Sequence, residues 1–224
     1  MILNEQVSSF RRRDPACPLA LFELTIAVDS SAPIEFWIAG PQQLLDLPKI
    51  GYFCSSKCPG SIILKTFDAI ARMRDEGQIL VGGFHSVMEW ECLGILLRGR
   101  QPVIWVPARS IVGMRLKPEL QPAFKDGRLL IISPFAPVPA NTRVTAALAE
   151  RRNRFVGSLA DEVFAAHAHT GSKTAELCQG LLSGNKRVYT INDPANENLI
   201  SIGAIPMDAE TVFGRRMDCL APAL

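Results

Sequence analysis

Short apolar runs alternate with longer amphipathic segments along most of the 224 residues, the pattern of stacked βαβ units. The runs Ile34–Ala39, Ile50–Cys54, Gln78–Val81, Val103–Val106, Leu129–Ile132, Val163–Ala166 and Arg187–Ile191 are predicted strands. Several are apolar at successive positions, as expected of parallel strands covered on both faces. Ile63, Phe67 and Ile70 recur at i, i+4 and i+7, so residues 61–76 are predicted to form a helix ending at Gly77. Further helices are expected over 86–98, 141–159 and 172–183, with Gly99 and Gly184 as stops. The fold class is therefore α/β: a Rossmann-like, doubly wound, mostly parallel sheet with helices on both faces, in three layers. Residues 1–32 form an N-terminal extension packed on a core domain of residues 33–224, because Leu21, Phe22, Leu24 and Ile26 are too apolar for a solvated linker.

Composition narrows the class. No apolar run reaches the roughly 18 residues of a membrane span, and Met1-Ile2-Leu3-Asn4-Glu5 lacks the basic-then-apolar design of a secretory signal. A cytoplasmic protein is expected, and its six cysteines are expected as reduced thiols. Cys54 and Cys58 have no second Cys/His pair at zinc spacing, so no metal site is implied. The formal charge is only +2. Residues 1–112 hold 11 basic and 11 acidic side chains and residues 113–224 hold 13 and 11, so any anion site must be a local cluster.

In a doubly wound sheet, ligands bind beyond the carboxyl ends of the strands, where loops feed helix N-termini. Three such turns carry small or hydroxyl residues: Cys54–Ser61 with Ser55, Ser56 and Lys57; Gly82–Ser86 with Gly82 and Gly83; and His169–Thr174 with Gly171, Ser172, Lys173 and Thr174. Parallel topology brings all three to one edge, where they are suited to cradle phosphate. The densest basic feature is Arg143 followed by Arg151, Arg152 and Arg154, with Arg151 and Arg154 on one helical face and Arg152 on another. Guanidinium forks suit phosphate oxygens and stack on bases. His167 and His169 fit a polar strand end, and Glu89 and Glu91 fit solvated helix carboxylates. Neither a Walker A loop nor a GxGxxG fingerprint is present, so no cofactor is implied, and neither GxSxG nor HExxH occurs.

The segment Arg152-Asn153-Arg154-Phe155-Val156-Gly157-Ser158-Leu159, a strand ending in Ala165-Ala166-His167, the loop Thr170-Gly171-Ser172-Lys173-Thr174-Ala175, and Asn198-Leu199-Ile200 with Gly203-Ala204 follow one another in order. This series resembles the DprA/Smf family of DNA-processing proteins. Pro33–Gly40, Pro48-Lys49-Ile50 with Ser55, and Leu80-Val81-Gly82-Gly83 are similar to its upstream motifs, so the likeness spans residues 33–204. It implies single-stranded DNA binding on a positive rim, delivery to RecA in DNA uptake and recombination, and a homodimer. It places anion contacts at Ser55, Gly82, Gly83, Arg152, Arg154, Gly171, Ser172 and Thr174. The chain departs from the family at Phe84–Met88, which replace a GA-x-GID run, at Ser56, which replaces an Arg, and at Ala149-Glu150, which replace an aromatic–proline pair.

Two functions follow. One is a non-enzymatic single-stranded DNA-binding protein using Lys57, Arg143, Arg151, Arg152, Arg154 and Lys173. The other is a nucleotide or phosphate-containing small-molecule sensor, or a phosphoribohydrolase of the same superfamily, with catalysis falling on Glu89 or Glu91.

Overall fold

The computed structural model describes residues 1–11, 35–138 and 143–208. Its strands are β1 (Ile2–Leu3), β2 (Val7–Arg11), β3 (Glu35–Ala39), β4 (Ile50–Cys54), β5 (Leu80–Gly82), β6 (Val103–Trp105), β7 (Met114–Arg115), β8 (Leu129–Ser133), β9 (Glu162–His167), β10 (Val188–Ile191) and β11 (Ile205–Met207). Its α-helices are α1 (Gly60–Asp75), α2 (Val87–Leu97), α3 (Gln121–Lys125), α4 (Ala146–Leu159), α5 (Lys173–Ser183) and α6 (Glu197–Ile200). Nine strands form one sheet in the order β11-β10-β9-β4-β5-β6-β8-β3-β2, and β1 pairs with β7 as a separate two-stranded piece.

From β11 to β8 every pairing is parallel. The chain runs outward from β4 through β5 and β6 to β8, then returns to the other side of β4 for β9 and continues outward. The direction of winding therefore reverses between β4 and β9, and a crevice opens there beyond the strand ends. The apolar runs pack on both faces with a period of two. Tyr52, Leu80, Val103 and Leu129 face one core with Ile62, Ile70, Met73, Cys92 and Leu96 of α1 and α2. Phe53, Val81, Ile104 and Leu130 face the other with Phe155, Val156, Leu159 and Cys178 of α4 and α5. The layers are α/β/α, as the uninterrupted apolar runs predict.

Two differences from the sequence expectation are physical. The strand after residue 34 is antiparallel to β8, and β2 adds a further antiparallel edge from within the N-terminal extension. The helix expected from residue 141 starts at Ala146, where the Thr145 hydroxyl accepts from the Leu148 amide at 3.2 Å and satisfies a free N–H of the first turn. Residues 12–34, with Arg12, Arg13 and the Leu19–Val28 stretch, lie outside the described residues. No helix among the described residues is long and apolar enough to cross a membrane.

Candidate functional site

The crevice between the ends of β4 and β9 is a cleft of 360 Å³. Ser55, directly after β4, ties its two walls together. Its amide donates to the His167 carbonyl at 2.8 Å, and its hydroxyl accepts from the His169 amide at 3.3 Å and lies 3.3 Å from the Ser172 hydroxyl. Ser172 caps α5 by accepting from the Ala175 amide at 3.2 Å. The turn before it closes with Ser172 donating to the His169 carbonyl at 2.9 Å, and Gly171 adopts a φ of +72° that side chains rarely tolerate. The positive end of α5 is thereby aimed at the cleft. Ser55, Ser56, Lys57, Arg152, Ser172, Lys173 and Thr174 all line it.

The cations differ in their surroundings. Lys57 is exposed and makes no ion pair among the described residues. Lys173 bonds the Glu176 carboxylate at 2.8 Å, and Arg154 is paired with Glu150. Arg152 is only 4% exposed. Its Nε donates to Asn153 Oδ1 at 2.7 Å and its Nη1 to the Val106 carbonyl at 3.3 Å. No carboxylate among the described residues lies within ion-pair distance of it. Burial draws its pKa below the ordinary arginine range, and the charge of Glu89 acts in the opposite direction. A desolvated guanidinium without a counterion at the edge of a cleft favours an anion there.

The Gly-Gly turn works differently from a phosphate cradle. Gly82 is buried at the end of β5, and a side chain there would meet the Phe84 ring at 3.1 Å. At Gly83 a Cβ would lie 1.6 Å from Arg152 Nη1, so this glycine is the seat of the Arg152 side chain. The positive φ of the turn falls on Phe84, at 44°. Arg143 and Arg151 border a separate 320 Å³ hollow, where the Arg151 guanidinium stands 5.3 Å from the centre of the Phe135 ring. Arg152, expected on a different helical face from Arg151 and Arg154, lines the cleft, whereas Arg151 lines the separate hollow.

The histidines and carboxylates also take specific places. Glu89 is 8% exposed rather than solvated. One of its oxygens accepts from the Cys54 amide at 3.2 Å, the other from the His85 and Ser86 amides at 2.8 and 3.2 Å, joining the first two turns to the start of α2. His167 is buried with Nδ1 2.7 Å from Asn196 Oδ1, whereas His169 is exposed at the lip. Asn196 donates to the Ala166 and Ile191 carbonyls, and Asn198 to the Ala168 carbonyl at 2.9 Å. These two side chains brace the strand end and loop that carry Ser172. Sequence reasoning missed Asn196, whose role depends chiefly on His167 and Ala166, 29 and 30 residues away.

No protein-family model matches the chain, and neither does any curated protein. Among solved structures, the fold is similar to that of DprA proteins. DNA processing protein A from Streptococcus pneumoniae aligns with a TM-score of 0.70 at 19% identity, over 93% of this chain and 76% of its own. The Helicobacter pylori protein of that name, which binds single-stranded DNA, aligns at 0.65 and 17% identity over 89% of each chain. The molybdenum cofactor carrier protein of Chlamydomonas reinhardtii aligns at 0.50 and 16% identity, over 73% of this chain and 92% of its own. At these identities the likeness is one of fold.

Proposed function

We propose that this protein binds single-stranded DNA, with backbone phosphate held in the cleft between β4 and β9. The observation that carries the reading is the meeting of the α5 N-terminus, the Ser55–Ser172 contact, exposed Lys57 and desolvated Arg152 in one cleft. Together they offer amide, hydroxyl and cationic donors, which suit phosphate without selecting a base. The DprA-like fold supports DNA as the source of that phosphate. Delivery to RecA, a homodimer and a cytoplasmic setting extend the same reading.

Anisotropy of labelled oligo-dT tests it. Binding at low salt should weaken with a log–log slope of roughly −0.7 per phosphate neutralised. Lys57→Ala with Lys173→Ala should weaken it by at least about tenfold and lower the slope by about 1.4. No binding at low salt refutes the proposal. Pull-down with RecA and light scattering of the purified protein test the two extensions.

A second reading is favoured by the size of the cleft, since 360 Å³ suits a free nucleotide or a similar phosphate-bearing molecule. Both oxygens of Glu89 are engaged by backbone amides, which favours a sensor over a hydrolase. A thermal-shift panel of nucleotides separates this reading from the first. Flat melting curves would remove it.

A further inference from the structure

Beyond Arg152 the surface opens into a second hollow of 440 Å³, which shares His85, Ser86 and Arg152 with the first cleft. Its floor is aromatic. Trp90 of α2 and Trp105 at the end of β6 stand edge to face, with centroids 6.4 Å apart and planes at 72°. The Trp105 Nε1 donates to the Gly83 carbonyl at 3.1 Å, so its orientation is fixed and its one polar atom is satisfied. Both indoles are partly exposed. The rim is cationic: Arg109, Arg115 and Lys117 are exposed and lie outside every ion pair among the described residues. The Lys117 ammonium rests 3.6 Å from the centre of the Trp90 ring. Against these cations the hollow sets one exposed carboxylate, Glu91.

Half-exposed aromatic planes ringed by unpaired cations have the chemistry of a site for nucleobases joined by phosphates. We infer that the hollow is a second subsite for the same single strand, which passes over Arg152 and stacks a base on the Trp90–Trp105 pair while Arg109, Arg115 and Lys117 hold the flanking phosphates. Lys117 covers the Trp90 face when no base is present. An arriving base displaces the ammonium, which then takes up the adjoining phosphate. This inference rests on the proposed DNA-binding function and adds to it a stacking element that the first cleft lacks.

Fluorescence tests it directly. The chain has three tryptophans, and Trp37 is 7% exposed within β3. In a Trp37→Phe background, emission comes from Trp90 and Trp105, and oligo-dT of about 12 nucleotides should quench it, whereas a fragment of about 4 bound in the first cleft should not. Trp90→Leu should weaken binding of the longer strand roughly tenfold and leave the short one unchanged. Arg115→Ala with Lys117→Ala, both at exposed positions, should reduce the salt slope by about 1.4. If these variants bind the longer strand with wild-type affinity and slope while the Lys57/Lys173 variant loses binding, the inference falls and the proposed function stands. If the wild-type chain binds no oligonucleotide, both fall. Equal quenching by poly-glutamate of matched charge would assign the hollow to an acidic protein segment and overturn the inference.

Discussion

Replacing Gly83 with alanine is the sharpest test of how the cleft is built. The methyl group would arrive 1.6 Å from Nη1, 2.0 Å from Cζ and 2.6 Å from Nε of Arg152, so the guanidinium has to leave its seat. In doing so it gives up the bonds to the Val106 carbonyl and to Asn153. Hydrogen bonds to a charged group contribute about 1.5–3 kcal/mol each, and a displaced long side chain recovers most of that from water. The remaining cost is that of overpacking a filled site, about 1–3 kcal/mol. A value near 2 kcal/mol corresponds to a drop in Tm of about 4–8 °C for a chain of this size. Oligo-dT affinity should fall in parallel, because Arg152 borders both the cleft and the hollow beside it. The decisive measurement is a double-mutant cycle by thermal or urea unfolding. With Arg152→Ala already in place the new methyl meets no guanidinium, so Gly83→Ala should cost less by at least about 1 kcal/mol. Strict additivity, or a Gly83→Ala protein that melts and binds like wild type, would refute the reasoning.

Asn196 is fully buried and bonded to His167, Ala166 and Ile191, so Asn196→Ala should cost about 2–4 kcal/mol, read by urea unfolding. A loss below about 0.5 kcal/mol would show that the brace is unimportant. Side-chain hydrogen bonding with Cys54 draws the Cys58 thiol below its ordinary pKa, while burial pushes Cys92 and Cys178 up to about 12. Peptide mapping after brief iodoacetamide treatment at about pH 8 should therefore find Cys58 labelled well before Cys92 or Cys178, whose thiolate fraction is on the order of 10⁻⁴; equal rates would contradict this. Asp193 is held below the usual carboxylate range by Lys65 Nζ at 2.9 Å and by the Ala195 amide at 3.1 Å. Because its folded pKa is depressed, its contribution is present above about pH 4 and is lost as pH falls through the folded value. Melting curves of Asp193→Asn should lose part of the acid-side decline seen in the wild type, and curves that run parallel at all pH values would refute the assignment.

The layers were legible in the sequence because strands buried on both faces must be apolar at successive positions. Tyr52 and Phe53, or Ile104 and its neighbour Val103, serve opposite cores, so the runs appear unbroken. Helix stops were legible for a local reason too, as at Gly77, which has a φ of +76°. Strand direction was not. Whether residues 35–39 run with or against β8 depends on the path of the chain between them, and a five-residue apolar run is the same in either case. In the site, the turns carrying Ser55 and Ser172 were legible, because a strand followed by small hydroxyl residues and a helix marks a βα junction. The Gly-Gly turn was legible as a turn but not in its use. Nothing local distinguishes a glycine that admits a phosphate from one that admits an arginine, and Arg152 is 69 residues further on. The Trp90, Trp105 and Lys117 grouping was hidden in the same way, since its members come from α2, from the end of β6 and from the segment after β7.

A formal charge of +2 argues against a broad phosphate-seeking field, yet the distribution of ion pairs changes what it means. Arg154, Lys65 and Arg187 are bonded to carboxylates and contribute little beyond their partners. Lys57, Arg109, Arg115, Lys117 and Arg152 are not, and all five line the two hollows that meet at Arg152. A group of five such cations therefore gathers around these two hollows, although the total is close to neutral. On the proposed function such a surface would hold few phosphates, each through a short-range contact. Its binding should be modest in affinity and should depend on stacking as well as salt, and for that reason strand length and the tryptophans, rather than net charge, are the variables that discriminate between the readings.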